Sequence, residues 1–190
     1  MNICVYGASS KTIEDKYILK CEELGEKIAK SGHGLVFGGG AEGVMGACAR
    51  GARKNEGFIL GITPSFFNVD GALFDECNKL IYTETMRERK KLLEDYSDAF
   101  VIAPGGVGTF EEFYEVLTLK QLALNNKPIV IFNIYGFYDG MISFLKEIKG
   151  KEFIREKTLD LFKVMDDCDE IIKYIEDYVP ENINIVETRG

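Results

Sequence analysis

Histidine is almost missing from this chain: there is one in 190 residues, alongside four prolines and no tryptophan. Basic residues are outnumbered 31 to 23 by acidic ones, giving a net charge of −8. An acidic surface argues against non-specific nucleic-acid binding and against a polybasic membrane anchor. No uncharged apolar stretch approaches the roughly 18 residues of a membrane span. The first residues, "MNICVYGASS", lack a basic segment followed by a long apolar one, so no signal peptide is expected. Five cysteines occur, none in a Cys-x-x-Cys pair. With one histidine they cannot assemble a zinc site of ordinary spacing, so no metal is expected. Free thiols in a reducing cytoplasm are the simplest reading. His33, in "KSGHGLVFGGG", joins a helix to a strand and so belongs at the amino end of a sheet. That position removes Ser-His-Asp and Cys-His mechanisms from consideration. Acid–base chemistry is left to carboxylates, tyrosines, lysines or water.

What the chain does have is alternation. Short apolar runs at Asn2–Tyr6, Leu35–Phe37, Phe58–Ile62, Leu80–Thr83, Ala99–Ala103, Pro128–Asn133 and Phe162–Met165 predict strands. Helical patterns separate them, near 12–31, 43–54, 86–97, 110–124, 138–149 and 168–178. A loop without clear periodicity is expected from Thr63 to Asn78. No linker, repeat or low-complexity segment interrupts residues 1–190, so one domain is expected. Strands apolar throughout and separated by helices predict an α/β, Rossmann-like, doubly wound parallel sheet covered on both faces. Ligands of such sheets bind beyond the carboxyl ends of the strands.

Three of those ends carry small residues: "YGASS" (Tyr6–Ser10), "FGGGAEGVMG" (Phe37–Gly46) and "PGGVGTFEE" (Pro104–Glu112). Glycine lets backbone N–H groups approach an anion unobstructed. A helix starting directly after the loop adds unpaired N–H groups and partial positive charge. Together they make a phosphate cradle. Candidate substrate-binding residues are therefore Gly7, Ser9, Gly39, Gly40, Met45, Gly105, Gly106, Val107, Gly108 and Thr109. "GGGAEG" also matches Gly-x-Gly-x-x-Gly, but the next strand runs into "ILGITPS" with no carboxylate to hold a ribose, which argues against NAD. The Walker pattern is absent.

Charged residues flank the loops. Arg87, Arg89, Lys90 and Lys91 cluster in "TETMRERKK". They form a solvated helix face capped by Thr85 and Glu88, or they supply an arginine that clamps a phosphate or carboxylate. Thr109 and Glu112 are spaced as a capping box, and Glu111 and Glu112 both suit a helix start. Glu112 is equally a carboxylate placed to meet whatever the glycines hold.

These motifs together are similar to a known family. "PGGVGTFEE" fits Pro-Gly-Gly-x-Gly-Thr-x-x-Glu, "FGGGAEGVMG" fits Gly-Gly-Gly-x-x-Gly-x-Met-Gly, and "MRERK" stands where that family has an Arg-Lys pair. The chain resembles the LONELY GUY (LOG) family of cytokinin riboside 5′-monophosphate phosphoribohydrolases, whose members often carry the label lysine decarboxylase. The resemblance implies hydrolysis of a nucleoside 5′-monophosphate to free base and ribose 5-phosphate, without metal or organic cofactor. It implies Arg89 and Glu112 as the catalytic pair. Lys90, the loop through Glu111, and Thr118 of "EVLT" would line the nucleotide site. It also implies a homodimer with the site near the interface. Plant-like members carry "MHxRK" and a tryptophan in "ITWAQ"; this chain has "MRERK" and "LTLKQ". A non-catalytic nucleotide or cofactor carrier on the same fold is the rival expectation.

Overall fold

A computed structural model describes residues 1–67, 71–180 and 183–188. Seven strands form one sheet: β1 (Asn2–Tyr6), β2 (Gly34–Phe37), β3 (Ile59–Pro64), β4 (Lys79–Thr83), β5 (Ala99–Ile102), β6 (Ile129–Phe132) and β7 (Lys163–Met165). Their order is β4-β3-β2-β1-β5-β6-β7, and every pairing is parallel. Five of the helices are α1 (Asp15–Lys30), α2 (Gly43–Lys54), α3 (Met86–Asp95), α4 (Val107–Gln121) and α5 (Asp139–Gly150). The others are α6 (Glu156–Asp160), α7 (Cys168–Glu176) and α8 (Ile185–Thr188). The doubly wound parallel sheet expected from the strand pattern is what forms.

The alternation of side chains along each strand divides the interior into two layers. Ile3, Val5, Leu35, Phe37, Val101 and Val130 pack under α1, α2 and α7. Cys4, Tyr6, Val36, Phe100, Ile102 and Ile131 pack under α3, α4 and α5. Every residue of β2, β5 and β6 is buried, as continuous apolar runs require when both faces are covered. Tyr138 fastens one layer to the sheet: its buried hydroxyl donates to the Ala103 carbonyl at 2.7 Å, just past β5. Burial raises the Tyr138 hydroxyl's pKa, so it stays protonated as that bond requires.

Boundaries moved where tertiary pairing intervened. β3 runs on through Thr63 and Pro64, which pair with Tyr82 and Thr83 of β4. The expected loop therefore starts later, with a 3-10 turn at Ser65–Phe67. Residues 68–70 of that loop lie outside the described residues. α4 starts at Val107 rather than Phe110. All five cysteines are free, and burial pushes the Cys4 thiol up to about 12. His33 sits just before β2, at the amino end of the sheet, with Nε2 2.9 Å from Glu176 Oε1.

α1 and α2 approach so closely that backbone meets backbone. A Cβ on Gly25 would lie 2.0 Å from the Cys48 carbonyl oxygen, and one on Gly51 1.9 Å from that of Glu22. Neither obstacle is a side chain that could rotate away. Gly25→Ala should cost about 1–3 kcal/mol, the scale of an overpacked core. At about 2–4 °C per kcal/mol for a chain this long, the melting temperature falls by several degrees in a thermal denaturation scan.

Candidate functional site

Order reverses in the sheet between β1 and β5: β2, β3 and β4 lie on one side of β1, and β5, β6 and β7 on the other. The crevice beyond such a reversal is where open α/β sheets bind ligands. The loops after β1, β2 and β5 meet there. The Ala8 amide donates to the Pro104 carbonyl at 3.1 Å, joining the first loop to the third. The Met45 amide donates to the Ala8 carbonyl at 3.1 Å, joining the first turn of α2 to the first loop. Gly43 permits this approach with φ +61°; a Cβ there would lie 2.7 Å from the Ala8 oxygen.

The three glycines of the third loop divide their work. A Cβ on Gly105 would lie 2.1 Å from Thr109 Oγ1, so this glycine makes room for the threonine folding back over it. Gly106 and Gly108 have nothing within 4 Å of a Cβ, so they present bare backbone. Gly106 is the N-cap of α4, and no side chain caps that helix. The first-turn amides of Val107, Gly108 and Thr109 have no acceptor within the helix. The expected Thr109–Glu112 capping box is therefore not formed. Thr109 is the third residue inside the helix, and Glu112 turns away from its start.

Glu112 turns toward α3. Arg89 Nη1 donates to Glu112 Oε1 at 2.8 Å, and the two side chains are 8% and 10% exposed. Arg89 Nε donates to the Ile62 carbonyl of β3 at 3.2 Å. Gly38, the glycine of the second loop that the motif reading passed over, bounds the other side: a Cβ there would lie 2.1 Å from Arg89 Nη2. The signal for it was its place as the first of three consecutive glycines, where a turn alone needs fewer. Burial raises the Glu112 carboxyl above the ordinary glutamate range, and Arg89 pulls it partly back. α3 itself starts as expected: Thr85 Oγ1 accepts from the Glu88 amide at 3.1 Å, while Glu88 Oε2 accepts from the Glu84 amide at 2.9 Å.

A cleft of about 330 Å³ opens beside Arg89, between the first two loops and the segment following the 3-10 turn. Ser9, Gly40 and Met45, all expected at the site, line it with Arg89. Gly38, Phe67 and Leu73 complete its apolar side, Thr63 lines it as well, and Lys11 and Glu42 stand at its mouth, 3.5 Å apart. Phe67 and Leu73 belong to the aperiodic stretch, and Thr63 to the strand extension, so no motif marked them. Gly39 (φ +80°) turns the second loop over Thr63, with its Cβ position 3.3 Å from Thr63 Cβ. Gly7 packs behind the site on Val44. Lys90 lies outside the Arg89 pair and bridges Glu111 and Glu115 of α4. Thr118 does not reach the cleft within one chain; it lies on the exposed flank of α4 with Tyr114, Glu115 and Leu119.

Comparison with known proteins places this geometry in a family. A family model described as "possible lysine decarboxylase" matches residues 45–175. The chain is 34% identical to the cytokinin riboside 5′-monophosphate phosphoribohydrolase of Mycobacterium tuberculosis, covering 90% of this chain and 91% of that protein. It is 32% identical to the cytokinin riboside 5′-monophosphate phosphoribohydrolase LOG of Oryza sativa subsp. japonica, covering 94% of this chain and 74% of that protein. The chain belongs to the LOG family. The LOG fold recurs in the molybdenum cofactor carrier protein of Chlamydomonas reinhardtii, with a TM-score of 0.70 at 23% identity, covering 92% of this chain and 95% of that one. That likeness concerns the fold. Among the described residues of this LOG chain, no helix is long and apolar enough to cross a membrane.

Removing Arg89 leaves the Glu112 carboxylate buried without its partner. Arg89→Met should cost about 3–5 kcal/mol near neutral pH, the usual loss when one member of a buried pair is deleted. The carboxyl of the folded variant is raised further above its unfolded value, so the folded state binds the extra proton as pH falls. The loss should therefore shrink toward acid, which urea denaturation of both proteins at two pH values will show.

Proposed function

We propose that this chain hydrolyses the N-glycosidic bond of a nucleoside 5′-monophosphate, releasing free base and ribose 5-phosphate. The observation that carries the reading is the buried Arg89–Glu112 pair beside the glycine loops. Relatives that share more than nine-tenths of its length are phosphoribohydrolases by name, which supports the same reaction. AMP and cytokinin riboside 5′-monophosphates are the proposed substrates.

The chemistry follows from charge. Breaking the bond from sugar to base builds positive charge on the ribose ring, an oxocarbenium-like state. Glu112 supplies a carboxylate in a water-poor setting, where its field acts at greater strength than in solution. It stabilises that charge and orients the attacking water, or forms a transient bond to the sugar. Arg89 keeps Glu112 ionised and in place, and its remaining N–H groups face the nucleotide. The uncapped start of α4, bare at Gly106 and Gly108, suits the 5′-phosphate. Gly105 and Thr109 shape that turn, and Gly7, Gly39 and Gly40 hold the neighbouring loops. Ser9 and Met45 face the ribose and base. Lys90 and Glu111 brace α3 against α4 rather than reaching the sugar.

The exposed flank of α4 is proposed as the face that meets a second copy. Tyr114 is 38% exposed there, and Leu119 stands where plant-like members have the tryptophan of "ITWAQ", next to the shared Thr118. In a homodimer of this kind Thr118 would approach the partner's site instead of its own. A protein of the cytoplasm fits the free cysteines. Thr118→Arg should shift the mass measured by light scattering from dimer to monomer.

Incubation of the folded protein with AMP and with isopentenyl-AMP, followed by chromatography of the free base, tests the reaction. Release of neither base would falsify it. Glu112→Gln should lower kcat by at least ~100-fold, the scale of a positioned catalytic group, while keeping the far-ultraviolet circular dichroism of the parent. The wild-type rate should fall as pH drops through the Glu112 titration. Since burial raises that titration, the acid limb sits above the range of an exposed glutamate, and it disappears in Glu112→Gln.

A further inference from the structure

Thr63 is fully buried where β3 ends, in the lining of the cleft. Its hydroxyl oxygen has no hydrogen-bond partner among the described residues. The charged side chains of the cleft are accounted for differently. Arg89 is engaged by the Ile62 carbonyl and by Glu112, and Lys11 and Glu42 face each other across the exposed mouth. Ser9 adds a second hydroxyl from the first loop, and Met45, Phe67 and Leu73 supply apolar wall beside bare glycine backbone. Small-molecule sites have this composition: an apolar cleft with a few placed polar groups that fix orientation. A buried hydroxyl without a partner is costly, and valine has nearly the same shape without that cost. A hydroxyl both donates and accepts, which suits the edge of a purine, where acceptor ring nitrogens stand beside an exocyclic amine.

We infer that Thr63 is a specificity-determining residue: its hydroxyl hydrogen-bonds a nitrogen on the edge of the purine base, which enters the cleft while the phosphoribose lies over Arg89 and the start of α4. The inference rests on the nucleotide reading above and adds where the base lies and what reads it. Gly39, turned at φ +80°, lets the second loop close over Thr63, since a Cβ there would come within 3.3 Å of Thr63 Cβ. A base unable to pair with it would leave the hydroxyl unsatisfied. Sites of that kind discriminate strongly against ligands lacking the group.

Calorimetric titration of wild type, Thr63→Val and Thr63→Ser with AMP and with ribose 5-phosphate tests this. Thr63→Val should weaken AMP by about 10-fold or more, leave ribose 5-phosphate unchanged, and melt no lower than wild type. Thr63→Ser, which keeps the hydroxyl, should hold AMP nearly as well as wild type. In turnover the valine variant should lose through KM with kcat retained, the signature of lost uniform binding. Unchanged AMP affinity in Thr63→Val overturns the inference, as does a wild type that holds AMP no more tightly than ribose 5-phosphate. AMP bound with this dependence on Thr63 but never cleaved supports the inference and sinks the reaction proposed above.

Discussion

An ion pair withdrawn from water organises this molecule. Arg89 and Glu112 are both nearly buried, and a carboxylate in that setting is tolerated only with a partner and good hydrogen bonds. Those conditions reach far into the fold. The guanidinium needs the Ile62 carbonyl, so it depends on the course of β3. It needs Gly38 without a Cβ, so the second loop is constrained. Glu112 needs α4 to begin at Val107, which needs Gly105 to accept Thr109 over it. Taken alone the pair adds little to stability; what it does is hold a carboxylate in place beside the uncapped start of α4.

The cradle and the pair use different physics at one place. Bare amides at the start of α4 attract an anion through aligned backbone dipoles, and they act without a formal charge. That suits a chain with a net charge of −8, whose long-range field repels nucleotides and whose local donors must overcome it. In the proposed reaction the carboxylate serves the opposite sign, a cationic sugar that exists only during bond cleavage. On that proposal, attraction for the substrate and stabilisation of its transition state are separated by about a turn and a half of one helix.

Much of this was legible beforehand, for identifiable reasons. Continuous apolar runs announced the parallel sheet, and glycines at three strand ends pointed to the crevice where their loops meet. Arg89 and Glu112 were marked by the motifs, and their contact could not be read from residues 23 positions apart. The Thr109–Glu112 spacing suggested a capping box because local pattern carries no information about Gly105 yielding space to Thr109. Thr63 was placed in a loop because the strand pairing that extends β3 comes from β4, a partner the local pattern does not contain. Leu73 and Phe67 belong to an aperiodic segment, where only the bridge from Gly40 to Leu73 fixes which residues face the cleft.

The consecutive pairs across α3 and α4 have a mechanical consequence. Arg89 engages Glu112 and its neighbour Lys90 engages Glu111, so the two helices mesh like a key with adjacent teeth. The inner tooth is shielded from dissolved ions, whereas Glu111 and Glu115 at the outer one stand about half-exposed. Counterions loosen exposed contacts far more than buried ones. Raising ionic strength therefore relaxes the outer tooth and leaves the inner engaged, turning a double lock into a pivot about Arg89. The register between the helices survives, and their freedom to rock about it becomes a property of the surrounding salt.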